Sequence, residues 1–291
     1  MLSAALTVLR TGPQVLVQDR GRVGYAHLGV PRAGVLDAPA AALANRLVGN
    51  PPDAAVLEVL LGGLEIRTEA PCWVAVTGAR VPLAVAGTAA AHTQAVRLPA
   101  GASLALGTPD DGMRSYLAVA GGIDVAPVLG SRSTDTLAGV GPAPVAVGDV
   151  LPVGVASGVP AALDTPRPPR SDPVRVLPGP HRDWFDADVR ARLAATPWTV
   201  GAASDRVGLR LQGEPLPRND GELPSEGMVL GAIQVPPDGQ PVVLLADHGP
   251  TGGYPVAGVV HPDDLWQLAQ LRPGERVILH RPADRPAAAT R

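Results

Sequence analysis

The residues best equipped for chemistry lie in two runs. The run from Glu222 to Pro255 sets Glu226, Gln234, Asp247, Thr251 and Tyr254 among apolar strand formers, with Gly252 and Gly253 in a glycine-rich loop after Asp247. Carboxylates at strand ends on one sheet edge can converge on a ligand, and glycines let backbone approach it closely. The run from Val17 to Pro31 reads VQDRGRVGYAHLGVP. There Arg22 can clamp a carboxylate or phosphate bidentately, Asp19 can orient it, and His27 can act as acid or base near neutral pH. Gln18 and Tyr25 stand in the same run. The same residues equally describe a loop stitched by an internal Asp–Arg pair, with His27 on a backbone carbonyl. For the Asp and Gly residues of the first run, turn formation is the competing role.

Smaller clusters add to these. In GSRSTD, from Gly130 to Asp135, Arg132 and Ser133 suit anion binding through backbone N–H groups, and a hydrogen-bonded turn suits them as well. Ser204-Asp205-Arg206 reads as an ion-pairing stretch, and Asn45 and Asn50 flank a helix end at LVGN. Glu58, inside the apolar AAVLEVLLGG, must be paired or protonated; an arginine partner and a functional role are both open.

Strands must position these groups. Val/Leu-rich runs bounded by glycine and proline predict strands at 5–9, 14–18, 55–60, 63–67, 73–77, 81–85, 102–106, 115–120, 174–177, 207–212, 229–235, 241–246 and 275–280. A Pro-Pro-Asp-Gly turn joins 229–235 to 241–246. Helical spacing is convincing at 37–48, with Asp37 as N-cap, at 184–194, and as a short helix at 263–271. The fold class expected is mainly β with a few short helices. The Pro/Ala/Ser-rich stretch 156–173 reads as a linker between an N-terminal domain, 1–160, and a C-terminal one, 172–283. The two sides echo each other at an offset of 126, as from Arg80 to Arg206 and from Gly148 to Gly274, which suggests a duplicated β-unit. The first copy then carries a polar insertion at about 20–60.

Composition excludes several classes. The net charge of −3 offers no nucleic-acid footprint, and no apolar run is long enough to span a membrane. Lysine is absent, which removes Schiff-base and P-loop-lysine chemistry and any biotinylation site. The scattered histidines and single Cys72 give no metal-ligand spacing, and Cys72 fits a reducing compartment; a cytoplasmic protein is expected.

The motifs QDRGRVGYAHLGVPRAGVLD, NRLVGN, LEVLLGGLEI, GSRST, SDRVGLRLQG, AQLRPGERV and the whole of 222–255 resemble the allophanate hydrolase subunit 2 family, the carboxyltransferase A/B-type domain, over roughly residues 5 to 280. The resemblance implies two cyclophilin-like β-barrels in tandem. It also implies a heteromer with B-type and A-type partner subunits, acting on a small amide or lactam. The likeness is to the C subunit of 5-oxoprolinase, in a complex that opens 5-oxoproline to L-glutamate with ATP. The alternatives it carries are a carboxyltransferase subunit of a biotin-dependent urea or amide carboxylase, with carboxybiotin on a separate carrier, and an antagonist that binds a sporulation-kinase-inhibitor-like partner. The matching positions give Arg22, His27, Glu226 and Asp247 as proton- or charge-handling candidates. Gln18, Asp19, Tyr25, Asn50, Arg132, Ser133, Arg206, Gln234, Gly252, Gly253 and Tyr254 are substrate-binding candidates. Departures stand at Asp135 and at His248-Gly249-Pro250, where the family pattern favours an aromatic and a polar stretch, so the substrate stays open.

Overall fold

A computed structural model describes residues 5–162 and 173–280. The chain divides into two compact units, 1–167 and 168–291. Most of the linker expected at 156–173 lies outside the described residues.

The first unit runs β1 (Ala5–Arg10), β2 (Gln14–Gln18), α1 (Ala38–Leu47), β3 (Val56–Leu60), β4 (Glu65–Thr68), β5 (Cys72–Gly78), β6 (Leu83–Val85), β7 (Thr88–Ala90), β8 (Val96–Leu98), β9 (Ser103–Leu106), β10 (Arg114–Val119) and β11 (Val150–Pro152). Two sheets form, ordered β11-β1-β4-β9-β6-β7 and β2-β3-β10-β5-β8. Strand alternation decides what each face meets. Leu57 and Val59 of β3, with Leu117 and Val119 of β10, join Leu6, Val8, Ile66 and Leu104 in a core between the sheets. Their alternates Val56, Tyr116 and Ala118 pack with Ala40, Leu43, Ala44 and Leu47 of α1. Covered on both faces, β10 is buried along its whole length.

α1 starts where expected. The Asp37 side chain accepts from Ala40 N at 3.0 Å, capping the first turn. The buried Glu58 faces this helix start. Its Oε2 accepts from Leu36 N at 3.1 Å and from the Tyr116 hydroxyl at 2.9 Å, and its Oε1 lies 3.6 Å from Arg114 Nε. Tyr116 Oη in turn accepts from Asp37 N at 2.8 Å. Burial first, then the Glu58 and Asp37 charges, push the Tyr116 phenol well above its ordinary pKa, so it stays a neutral donor. Glu58 thus has the arginine partner that burial demands.

The second unit runs β12 (Val174–Pro178), α2 (Ala187–Ala195), β13 (Pro197–Val200), β14 (Gly208–Gln212), β15 (Glu226–Gly227), β16 (Ala232–Gln234), β17 (Val242–Leu244), β18 (Thr251–Gly252), β19 (Val256–Val260), α3 (Leu265–Leu268) and β20 (Arg276–His280). Seven strands close a barrel, β12-β19-β16-β17-β14-β13-β20, and β15 and β18 form a separate ribbon. Trp198, Leu211, Ile233, Val243 and Leu279 are among its most deeply buried side chains. The Pro-Pro-Asp-Gly turn joins β16 to β17, with Gly239 N donating to Pro236 O at 3.0 Å. The third helix is shorter than expected; a 3-10 turn takes up Pro262–Asp264 and α3 keeps only four residues.

The fold is therefore mainly β with short helices, as the patterning suggested. The offset of 126 lands strand on strand in places: β14 on β6, β17 on β10, β20 on β11. The ladders differ, however. β17 pairs with β14 and β16, whereas β10 pairs with β3 and β5, and β6 lies in the other sheet. Similar local patterning does not by itself select partner strands.

Candidate functional site

The first polar run folds into a knot at the end of β2. The Asp19 carboxylate accepts from Gly21 N at 2.8 Å, Ser131 Oγ at 2.6 Å, Ser133 Oγ at 2.7 Å and Arg132 N at 2.6 Å. Burial works against this charge, and the four donors outweigh it, holding the Asp19 pKa below its ordinary value. Gln18, fully buried, donates to Thr134 O at 2.8 Å and accepts from Gly34 N at 3.1 Å. Arg22 is buried too; its Nη2 donates to Ser133 O at 2.5 Å and its Nε to Val128 O at 3.5 Å. Its Nη1 has no hydrogen-bond partner among the described residues. Gln18, Asp19, Arg22 and Ser133 are thus brought together, but mostly bonded to each other's loops. No direct Asp19–Arg22 ion pair is among the bonds that hold the knot.

The neighbours of this knot point elsewhere. Arg132 turns away to Val125 O at 2.8 Å and Asp124 Oδ1 at 2.6 Å. His27 is exposed, with Nδ1 at 3.0 Å from Gly24 O, and Tyr25 is half-buried. Asn50 is spent on structure: it donates to Asn45 Oδ1 at 3.0 Å and Val119 O at 2.7 Å and accepts from Gly121 N at 2.8 Å.

In the second unit, Asp247 and Arg206 form a buried bidentate pair, Nε to Oδ2 and Nη2 to Oδ1, both at 2.9 Å. Asp247 lies beyond Leu244, whereas Gln234 pairs with Val242 at the other end of β17. The two do not converge.

Glu226 and Gln234 do converge, and the ring of contacts that joins them closes. Gln234 projects from the outer barrel face with Ala232, beside Leu244, Val256 and Met228. Its Nε2 donates to Met228 Sδ at 3.3 Å, a weak acceptor. Glu226 is the ladder partner of Gly252. Directly opposed residues of an antiparallel pair project to the same face. A Cβ on Gly252 would lie 2.6 Å from Gln234 Nε2, so the missing side chain leaves room for that amide on the Glu226 side of the ribbon. Gln234 is also the ladder partner of Val256, across a register shift that leaves Ala257 as the extra residue. Val256 N is thereby turned to His181 Nδ1, at 3.0 Å, and His181 Nε2 lies 3.3 Å from Glu226 Oε1. Gly253 and Tyr254, both exposed, border this face. A carboxylate next to a carboxamide, at the edge of solvent, can take an N–H on one side and give a hydrogen bond to a C=O on the other.

His181 is the member that sequence reasoning missed. Its only local signal was a histidine placed just after a strand and a Gly-Pro corner.

Comparison with known proteins fits this architecture. Residues 28–281 match the model of the carboxyltransferase domain, subdomain A and B. The chain belongs to that carboxyltransferase family. A relative in Escherichia coli, the C subunit of 5-oxoprolinase, is 41% identical over 94% of this chain and 89% of its own length. Among solved structures, that of TTHA0988 aligns with a TM-score of 0.87 at 40% identity, over 96% of this chain but only 56% of the other. The Kluyveromyces lactis urea carboxylase aligns with a TM-score of 0.88 at 30% identity, over 95% of this chain and 27% of that one. The chain spans about half or less of those solved chains. Among the described residues no group of acidic, His or Cys side chains is arranged to hold a metal ion, and no helix is long and apolar enough to cross a membrane.

Proposed function

We propose that this chain is the C subunit of an ATP-dependent 5-oxoprolinase, a cytoplasmic heteromer with A and B subunits that opens 5-oxoproline to L-glutamate. The observation that carries this reading is the 41% identity to the Escherichia coli protein along nearly the full length of both chains. The Glu226–Gln234 face supports it chemically. A lactam presents an N–H beside a C=O, matching a carboxylate acceptor beside an amide donor. In this reading Glu226 accepts the proton, Gln234 holds the carbonyl, and ATP is consumed by the complex. The test is reconstitution of the three subunits and measurement of 5-oxoproline-dependent ATP hydrolysis. Turnover is expected to need this chain and to be absent from it alone; undiminished turnover without it overturns the reading.

The likeness to a urea carboxylase favours one second reading, a carboxyltransferase subunit for urea or a related amide. Carboxybiotin would then arrive on a separate carrier, since the chain has no lysine to hold biotin. Co-purification with a biotinylated protein, and carboxyl transfer to urea, would replace the first reading with this one.

A further inference from the structure

We propose that His181 is a positioning residue for Glu226, holding its carboxylate as the proton acceptor of the outer-face site through a neutral Nε2–H; this rests on the reading of Glu226 as the group that handles protons.

The hydrogen bonds determine the tautomer. Val256 N–H donates to His181 Nδ1 at 3.0 Å, so Nδ1 presents a lone pair there. A neutral ring then carries its hydrogen on Nε2, which faces Glu226 Oε1 at 3.3 Å. With the Nδ1 lone pair directed at the strand's donor, the acceptor that faces the outer-face site is the Glu226 carboxylate. The roles are thereby separated: backbone orients imidazole, and imidazole orients carboxylate.

The fold holds this arrangement from three sides. The bulge at Ala257 releases Val256 N from the ladder. A Cβ on Gly179 would lie 2.2 Å from Val256 O, so only glycine lets the chain leaving β12 pass this close to β19 and deliver His181. The His181 side chain is 12% exposed against 44% for Glu226, so the donor is enclosed while the carboxylate meets solvent. Among the described residues His181 is the one side chain placed within ion-pair distance of that carboxylate, and the contact is at Oε1, which leaves Oε2 for a ligand N–H.

The experiment has two arms. In the first, imidazole nitrogen resonances are recorded on this chain alone, with His181 assigned by its loss in H181Q. The expected pattern is a protonated Nε2 and a bare Nδ1, with the Nε2 resonance moving in E226Q. A proton on Nδ1, or no response to E226Q, overturns the proposal. In the second, variants are assembled with the partner subunits and turnover is followed. H181A is expected to lower kcat about 100-fold with KM within about threefold. H181Q should recover most of the loss, because its carboxamide can accept from Val256 N and donate to Glu226. H181A combined with E226Q should be no slower than E226Q. An H181A enzyme of normal kcat, an H181Q enzyme as slow as H181A, or losses that multiply would each overturn it. An E226Q enzyme of normal kcat removes the proton role of Glu226 and the proposal with it. The wrong tautomer beside a slow E226Q removes only the positioning claim.

Discussion

Asp247 and Arg206 show what a buried ion pair asks of its members. Each is almost fully buried and each satisfies the other through two hydrogen bonds. Removing one partner breaks both bonds of a buried charge pair, so Asp247→Ala should cost about 3–5 kcal/mol. The joint replacement Arg206→Met with Asp247→Leu should recover much of that, read by denaturant unfolding. Asp19 is a node of a different kind, four donors on one carboxylate. Asp19→Asn loses the charge-assisted part of those bonds and should cost about 2–3 kcal/mol. In both cases lost activity is interpretable only beside a measured stability.

At the scale of elements, two junctions matter. The first is the start of α1, held on β3 and β10 through Tyr116. Tyr116→Phe removes the donor to Glu58 and the acceptor for Asp37 N. Losing these two buried hydrogen bonds should destabilise by about 1–3 kcal/mol, measured by thermal unfolding. The second junction is the β15–β18 ribbon over β16. Gly252→Ala would place a methyl 2.6 Å from Gln234 Nε2. That nitrogen ends a flexible side chain and can swing away. The expected result is stability within about 1 kcal/mol of the parent and a clear rise in KM for substrate, since a bound carbonyl would lose its donor. A Gly252→Ala enzyme of unchanged KM would remove Gln234 from substrate binding.

For the whole molecule, acid response joins both units. Asp19 in the first and Asp264 in the second have pKa values held below the ordinary 3.8. At Asp264 burial opposes the charge, and the Arg175 hydrogen bonds, from N and Nε at 2.8 and 2.9 Å, outweigh it. A carboxylate with a depressed folded pKa stabilises fully above its unfolded value, and that contribution is lost as pH falls through the folded value. Melting temperature should therefore fall progressively below about pH 5. Asp19→Asn should start lower at pH 7 and fall less steeply. An acid limb unchanged by that substitution would mean that the Asp19 node is not what acid breaks.

Much of this molecule was legible in its residues. Alternating apolar positions marked most strands, Asp37 marked a helix start, and the 222–255 motif drew attention to Glu226 and Gln234, although it set Asp247 beside them. These signals are local: strand period, capping and turn chemistry act over a few residues. Tertiary structure alone decided which polar groups are consumed and which remain open. Arg22 and Asp19 looked as reactive as Glu226, yet their donors and acceptors meet loops more than a hundred residues away. Asp247 met Arg206, 41 residues back, and His181 reached Glu226 only because a bulge turned Val256 N toward it. Hydrogen-bond satisfaction is a property of the packed chain, since any buried polar group must find its partner wherever the fold brings one.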